Sequence, residues 1–333
     1  MKILFLTPYG QDRPSVRFRV LPFVERGRAR GHEVDWARIP ASIFSRLRFY
    51  RTVPRADVYV IQQELLADWE LKALRKRCGA LVYDFVDAVW TMSSDDLMSS
   101  RKRRRARKSA SRFAEQCSTV DLCIAGNTYL GHKASAYQER VRVVPTGLDT
   151  ARYVYGERCP ISNYFQVGWM GSPNSLRYLE QPLDVLKEYV GSLQFSVISS
   201  EQYAGPAKEY VFWAKWTRET EISRLQSMDV GLLPLADDEY TRGKCGVRLL
   251  QYMACGAIPL ASDVGVNREI IEHGVNGFLI EEPKQWGEYA MRLANDSELL
   301  EKMRVAARQT VTGRFDVGVV GQGLWSALEE AVG

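Results

Sequence analysis

Short apolar runs alternate with helix-patterned stretches along the 333-residue chain, and the series starts afresh after an irregular segment near its middle. KILFLTP (2–8) ends in a Pro/Gly turn and lacks polar alternation, as a strand covered on both faces of a parallel sheet does. VRFRVLPFVERGRARG (16–31) predicts one helix closed by Gly31, with arginines in its last turn. The first series continues with strands HEVDWARI, ADVYVIQQ (56–63), ALVYDFVDAVW (80–90), VDLCIAGN (120–127) and VRVVPTGLD (141–149). Its further helices are ADWELKALRKRCG (67–79) and residues 101–118. The second series has strands NYFQVGWMGS (163–172), QFSVISS (194–200), VGLLPL (230–235), IPLAS (258–262) and GFLI (277–280), with a helix over 178–191. The aromatic run YVFWAKW (210–216) reads as strand and core. Repeated alternation of this kind predicts two doubly wound parallel-sheet α/β domains, each Rossmann-like, facing a cleft. The expected domains are 1–155 and 160–316, joined by a linker near 150–163, with a helical tail (about 317–333) that crosses back to the first.

Hydrophobic content of 46% and charged content of 26% fit a soluble globular protein. No stretch of some 18 apolar residues predicts a transmembrane helix, and MKILFLTPYG turns polar too soon for a signal peptide. The six cysteines (78, 117, 123, 159, 245, 255) form no CxxC pair or zinc spacing, so reduced thiols in a cytoplasmic protein are expected. Three histidines (32, 132, 273) argue against a His-based metal site or triad. The net charge of +5 is unevenly spread: residues 1–150 hold 27 Lys/Arg against 16 Asp/Glu, the remainder 18 against 24. One side of the molecule is therefore expected to meet something anionic. RKRRRARK (101–108) reads either as a solvated surface segment or as a contact with an anionic membrane, peripheral on its inner face. Nucleic acid is the weakest partner for it, because no aromatic residues interleave the run.

RGKCGVRLLQYMACG (242–256) crowds Arg242, Lys244 and Arg248 around Gly243 and Gly246, ahead of a helix-patterned apolar face. Cations beside a glycine-permitted turn at a helix start make an anion site, with Gly246 and Val247 offering N–H groups. Open α/β sheets bind ligands beyond the carboxyl ends of their strands, and this stretch follows one such strand, VGLLPLADDEYT.

RGKCGVRLLQYMACGAIPLASDVGVNREIIEHGVNGFLI resembles the donor-site signature of the family-4 glycosyltransferases, retaining enzymes of the GT-B fold. IAGNTYL…VRVVPTGLD resembles the end of that family's N-terminal domain, and VGWMGSPNSLRYL its "GR…K" strand–loop. The ordered set covers most of the chain. The resemblance implies transfer of a hexose-type sugar from a nucleotide diphosphate donor to a hydroxyl acceptor, a glycan or lipid-linked glycan in kind, with retention of anomeric configuration. It implies no metal or other cofactor, the diphosphate being met by basic residues.

The departures reassign several roles. Gln251 stands at the second Glu of the family's Glu-x7-Glu pair, which receives the ribose hydroxyls; Gly243 stands at the first, which contacts the sugar. Asp238 and Glu239 are nearby carboxylates that could substitute. Ser172 replaces the Arg of "GR…K", and Arg177 lies near its Lys. Arg242, Lys244 and Arg248 are accordingly expected to take over part of the diphosphate's charge. In VYDFVDAVW, Asp87 matches the Asp of a family His-Asp and Val86 falls at the His; Asp87 and Asp84 are the candidates to orient sugar or acceptor. In YGQDRPSVRFR, Gly10 permits close backbone approach and Arg17 could reach phosphate. Two rival readings stay open: a sugar-nucleotide epimerase of the same architecture, and a degenerate relative that binds nucleotide without turnover. A dehydrogenase is excluded, since no GxGxxG follows the first strand.

Overall fold

The computed structural model describes residues 1–156 and 164–333, so part of the expected 150–163 linker, and Cys159, lie outside the described residues. The described chain forms two compact units. The first takes Met1–Gly147, Asp238–Cys245 and Val317–Gly333; the second takes Leu148–Asp237 and Gly246–Asp316.

The first unit holds six parallel strands: β1 (Lys2–Thr7), β2 (Glu33–Arg38), β3 (Ala56–Gln62), β4 (Cys78–Phe85), β5 (Leu122–Ala125) and β6 (Val141–Val143), ordered β2-β1-β3-β4-β5-β6. Alternate side chains feed two cores, as the period-2 geometry of a strand requires. Phe5, Val58, Val60 and Val82 face the helices Pro14–Arg19, Leu21–Ala29 and Val317–Val332. Leu6, Tyr59, Ile61 and Tyr83 face Tyr50, Leu71, Leu74 and Phe113 on the other side. The C-terminal helix is seated by a close approach: a Cβ on Gly27 would lie 2.5 Å from the Trp325 ring.

The second unit repeats the plan with β7 (Phe165–Met170), β8 (Leu193–Ser199), β9 (Val211–Lys215), β10 (Val230–Leu233), β11 (Ile258–Ser262) and β12 (Phe278–Ile280), ordered β12-β11-β10-β7-β8-β9. The strand order reverses between β7 and β10, which marks the crevice where such sheets take ligands.

Four expectations need correction. The helix over 16–31 is two helices, divided at Val20, because Pro22 has no N–H to continue the first. The helix over 178–191 keeps α geometry only at Glu180–Leu186, around Pro182, with tighter turns on either side. The helix Ile43–Thr52, capped by Ser42, carries no clean apolar periodicity and escaped the sequence reading. The aromatic run at 210–216 is a strand on the sheet's edge, which leaves Tyr210 and Phe212 exposed. Cys78, Cys117, Cys123, Cys245 and Cys255 carry free thiols.

The domain boundary also differs. Residues 238–245, expected in the second domain, pack with the first unit. Asn127 explains why: its Nδ2 donates to the carbonyls of Arg242 (3.2 Å) and Lys244 (2.9 Å). Asp238 accepts from the Ser94 N–H at 2.8 Å, and Cys245 is buried in the first unit's core.

Candidate functional site

The basic stretch around 242–248 is thus divided between the units, and each part builds its own polar constellation. In the first unit, the loop leaving β4 presents Asp87. Its Oδ1 accepts from Lys244 Nζ at 2.7 Å and its Oδ2 from Gln63 Nε2 at 2.8 Å. Lys244 Nζ also reaches the Tyr240 hydroxyl at 3.0 Å and lies 4.1 Å from the centroid of that ring. Burial works against the ammonium charge, but Asp87 and then Tyr240 outweigh it and raise the Lys244 pKa. The side chains of Lys244 and Asp87 remain 34% and 37% exposed, so the pair is open to solvent and to a ligand.

Gln63 sits at the carboxyl end of β3 with φ 65°, a left-handed conformation that costs a non-glycine residue on the order of 1 kcal/mol. Its Oε1 accepts from the Val86 N–H at 3.3 Å, so one amide fixes both the loop and the Asp87 carboxylate. Tyr9 follows β1 on the same edge; burial, Asp87 and Glu64 raise its phenol pKa. Gly243 approaches Ala88 so closely that a Cβ would lie 2.7 Å from the Ala88 backbone nitrogen. A side chain there would have to displace the Ala88 backbone. Asp238 is spent on capping its helix, and Glu239 binds Trp90 Nε1 (2.8 Å) and Lys133 (2.9 Å).

Asp84 is not part of this constellation, contrary to expectation. It is 1% exposed, and both its oxygens are taken by the buried Arg19: Nε lies 3.0 and 3.1 Å away and Nη2 2.7 Å. Arg17 is also buried, against Phe18. Arg242 is exposed at the end of the turn Glu239–Arg242. Gly10 lies past β1 with open space where a Cβ would be and with no left-handed φ, so nothing within the chain requires glycine there.

In the second unit, the helix Val247–Cys255 starts at Gly246, whose φ is 67°. That left-handed backbone favours glycine, and a Cβ there would also crowd the end of the Ile270 side chain. No side chain caps this helix start, leaving the first-turn N–H groups, Val247 among them, to other acceptors. In the same first turn, Arg248 lies 5.1 Å from the Trp169 ring centroid, at the end of β7. A Cβ on Gly171 would sit 2.7 Å from Arg248 Nη2, so the guanidinium rests on the Gly171–Ser172 loop. Among the described residues Arg248 has no carboxylate partner, and burial lowers its pKa against a smaller opposing effect of Tyr252. The next turn places Tyr252 at the strand-order reversal: its hydroxyl accepts from the Met170 N–H (2.9 Å) and donates to the Leu232 carbonyl (3.2 Å).

Gln251 is 5% exposed and donates to the Tyr153 hydroxyl at 3.4 Å; Tyr153 in turn binds Glu221, which also accepts from Trp216 Nε1 at 3.0 Å. Ser172 is exposed, 3.3 Å from the Ser175 hydroxyl, and Arg177 lies over the Tyr178 ring at 5.0 Å. Sequence reasoning missed Gln63, Tyr240, Trp169 and Tyr153. For Gln63 a signal existed: a polar pair, Gln62–Gln63, closing an otherwise apolar strand.

Comparison with known proteins agrees with this architecture. Residues 199–310 match the family described as Glycosyl transferases group 1. Spore coat protein SA of Bacillus subtilis is 28% identical over 169 residues, 46% of this chain and 42% of that protein. N-acetyl-alpha-D-glucosaminyl L-malate synthase of Bacillus anthracis is 32% identical over 100 residues, 29% of this chain and 25% of that one. The matches therefore span less than half the length of these curated relatives. Among solved structures, Anabaena HepE in complex with UDP-glucose superposes over 99% of this chain and 100% of its own, with a TM-score of 0.73 at 17% identity. Sucrose-phosphate synthase from Thermosynechococcus elongatus gives 0.72 over 99% of each chain at 13% identity. The segment 199–310 thus matches a group 1 glycosyl transferase model, and the chain's two six-stranded parallel sheets share the GT-B fold of these structures along its length.

Proposed function

We propose that the protein transfers a sugar from a nucleotide diphosphate sugar to a hydroxyl acceptor, with retention and without a metal. One observation carries this: Arg248, a cation with no carboxylate partner among the described residues, stands at an uncapped helix start beside the β7/β10 strand-order reversal. A diphosphate there would gain the guanidinium and the first-turn N–H groups together. Gln251, one turn further in, offers its amide to the ribose, with Tyr153 fixing its orientation. In the first unit Asp87 is the group that orients the sugar or acceptor. Lys244, held by Asp87 and Tyr240, serves that carboxylate. HepE has been crystallised with UDP and with UDP-glucose, which makes a UDP-sugar the first donor to test. Against an epimerase stand the histidines. His32 packs beside Trp325, His273 beside Phe278 and Tyr289, and His132 is exposed on the helix Thr128–Ser135, so none supplies an acid/base group at Asp87.

A thermal-shift panel of UDP-, GDP-, ADP- and dTDP-sugars tests the donor reading. The matching donor at about 100 times its Kd should stabilise the protein by about 2.7 kcal/mol. Arg248→Ala should remove most of that gain while leaving the unliganded Tm unchanged. Equal stabilisation in the variant would overturn the assignment.

The acceptor is, in this reading, a glycan or lipid-linked glycan met at an anionic membrane surface. Among the described residues no helix is long and apolar enough to cross a membrane. The run 101–108 lies on the helix Ser100–Thr119 with its cations exposed, and the helix Ile43–Thr52 exposes Ile43 (52%), Phe44 (81%) and Leu47 (40%). Apolar side chains beside cations suit an anionic interface. Sedimentation with anionic liposomes should fall with rising salt, and Phe44→Ser should weaken it about tenfold. Binding that ignores salt would sink the idea.

A further inference from the structure

We infer that the first unit contains a separate binding site for an anionic amphiphile, a phosphate or carboxylate head on an apolar body. It lies in the cavity between the helix Ser100–Thr119 and Trp90. The cavity measures about 300 Å3, within the range of small-molecule sites. Arg103, Ala106, Arg107, Ala110 and Phe113 follow one another at helical spacing and share one face of that helix. The two alanines open the groove. Trp90, Phe113 and Tyr137 give it aromatic walls: the Trp90 and Phe113 rings are 4.7 Å apart, Phe113 and Tyr137 6.2 Å.

The charges decide the ligand's sign. Glu239 is the one carboxylate among the lining residues, and it is already matched by Lys133 at 2.9 Å and by the Trp90 N–H at 2.8 Å. Arg103 spends its Nη1 on the carbonyls of Leu97 (2.8 Å) and Met98 (2.9 Å), which leaves its charge uncompensated. Arg107, one turn on, has no acceptor among the described residues. Two guanidiniums at i and i+4 beside an aromatic wall would grip an oxyanion from one side and cover hydrocarbon on the other. A purely solvated basic helix would explain the arginines but not the aromatic-walled hollow beneath them.

The inference rests on the transferase reading only for its use, as the site of an acceptor's anionic apolar portion. Its test does not depend on turnover. Calorimetric titration of the full chain would compare geranyl phosphate, geranic acid, geraniol and inorganic phosphate. Geranyl phosphate or geranic acid should bind at least about tenfold more tightly than geraniol, and inorganic phosphate should bind no tighter than about 1 mM. The ratio of the two acids tells a phosphate site from a carboxylate site, and either supports the proposal. Arg107→Glu should weaken binding about tenfold, and Ala110→Trp, which fills the hollow from an exposed helix position, should abolish it. Donor-induced thermal stabilisation, read on the same samples, should be unchanged in both variants. The proposal is overturned if geraniol or inorganic phosphate matches geranyl phosphate, if neither acid binds below about 1 mM, or if Ala110→Trp binds normally. Loss of donor stabilisation with amphiphile binding intact would instead count against the donor reading alone.

Discussion

Replacing Lys244 with methionine should lower the rate of nucleotide release from a saturating donor about 100-fold while moving the Tm by no more than about 3 °C. Under the proposed transfer the two effects separate, because the ammonium then serves the reaction more than the fold. Its ion pair with Asp87 at 2.7 Å is roughly one-third exposed on each side, and pairs of that kind add about 1 kcal/mol or less to stability. Its geometric role is larger. Without Lys244, one Asp87 oxygen loses its partner and only Gln63 holds the carboxylate, so the carboxylate rotates out of register. A displacement of about 1 Å at a reacting centre can cost on the order of 100-fold. Methionine keeps the apolar stem against the Tyr240 ring, so lost packing cannot mimic lost charge. Donor affinity, read by thermal shift, should change less than in Arg248→Ala. Undiminished nucleotide release in the Lys244 variant would remove it from the site.

Both sheets were legible in the sequence because parallel strands buried on two faces leave long apolar runs, and each of these is bounded by turn residues. β1, β10 and β11 begin where their apolar runs begin. The helix Val247–Cys255 and its glycine start were readable for the same local reason. What stayed hidden depends on contacts distant in the chain. Nothing local to RGKCG tells that Asn127 will hold the carbonyls of 242 and 244 and carry Lys244 into the first unit. Nothing local to Gly243 tells that Ala88 will press against it. Gln63 looks like an ordinary strand end until its left-handed backbone and its bond to Asp87 are seen together. Asp84 and Asp87, three residues apart in one motif, look equivalent as sequence. Asp84 lies within β4 and Asp87 in the loop beyond its end, so one meets Arg19 in the core and the other meets Lys244.

That divergence yields the second large effect. Asp84→Ala should destabilise the protein by about 3–5 kcal/mol, because it strands the Arg19 guanidinium, whose side chain is fully buried, with only the Pro145 carbonyl at 2.6 Å for company. Arg19→Met should cost a similar amount by leaving the Asp84 carboxylate uncompensated. The double variant Arg19→Met/Asp84→Leu removes both charges from a site walled by apolar strands, and it should recover most of the loss, since buried pairs are often matched by apolar replacements. Chemical denaturation of the three variants supplies the cycle, with a coupling energy that additive behaviour of independent sites would not give. Below its lowered Tm, folded Asp84→Ala should still release nucleotide within about threefold of the parent rate, because both oxygens of the 1%-exposed carboxylate are bound by Arg19. A variant that kept its full stability yet lost turnover would return Asp84 to the reacting groups, and with it the sequence motif's apparent equivalence of the two aspartates.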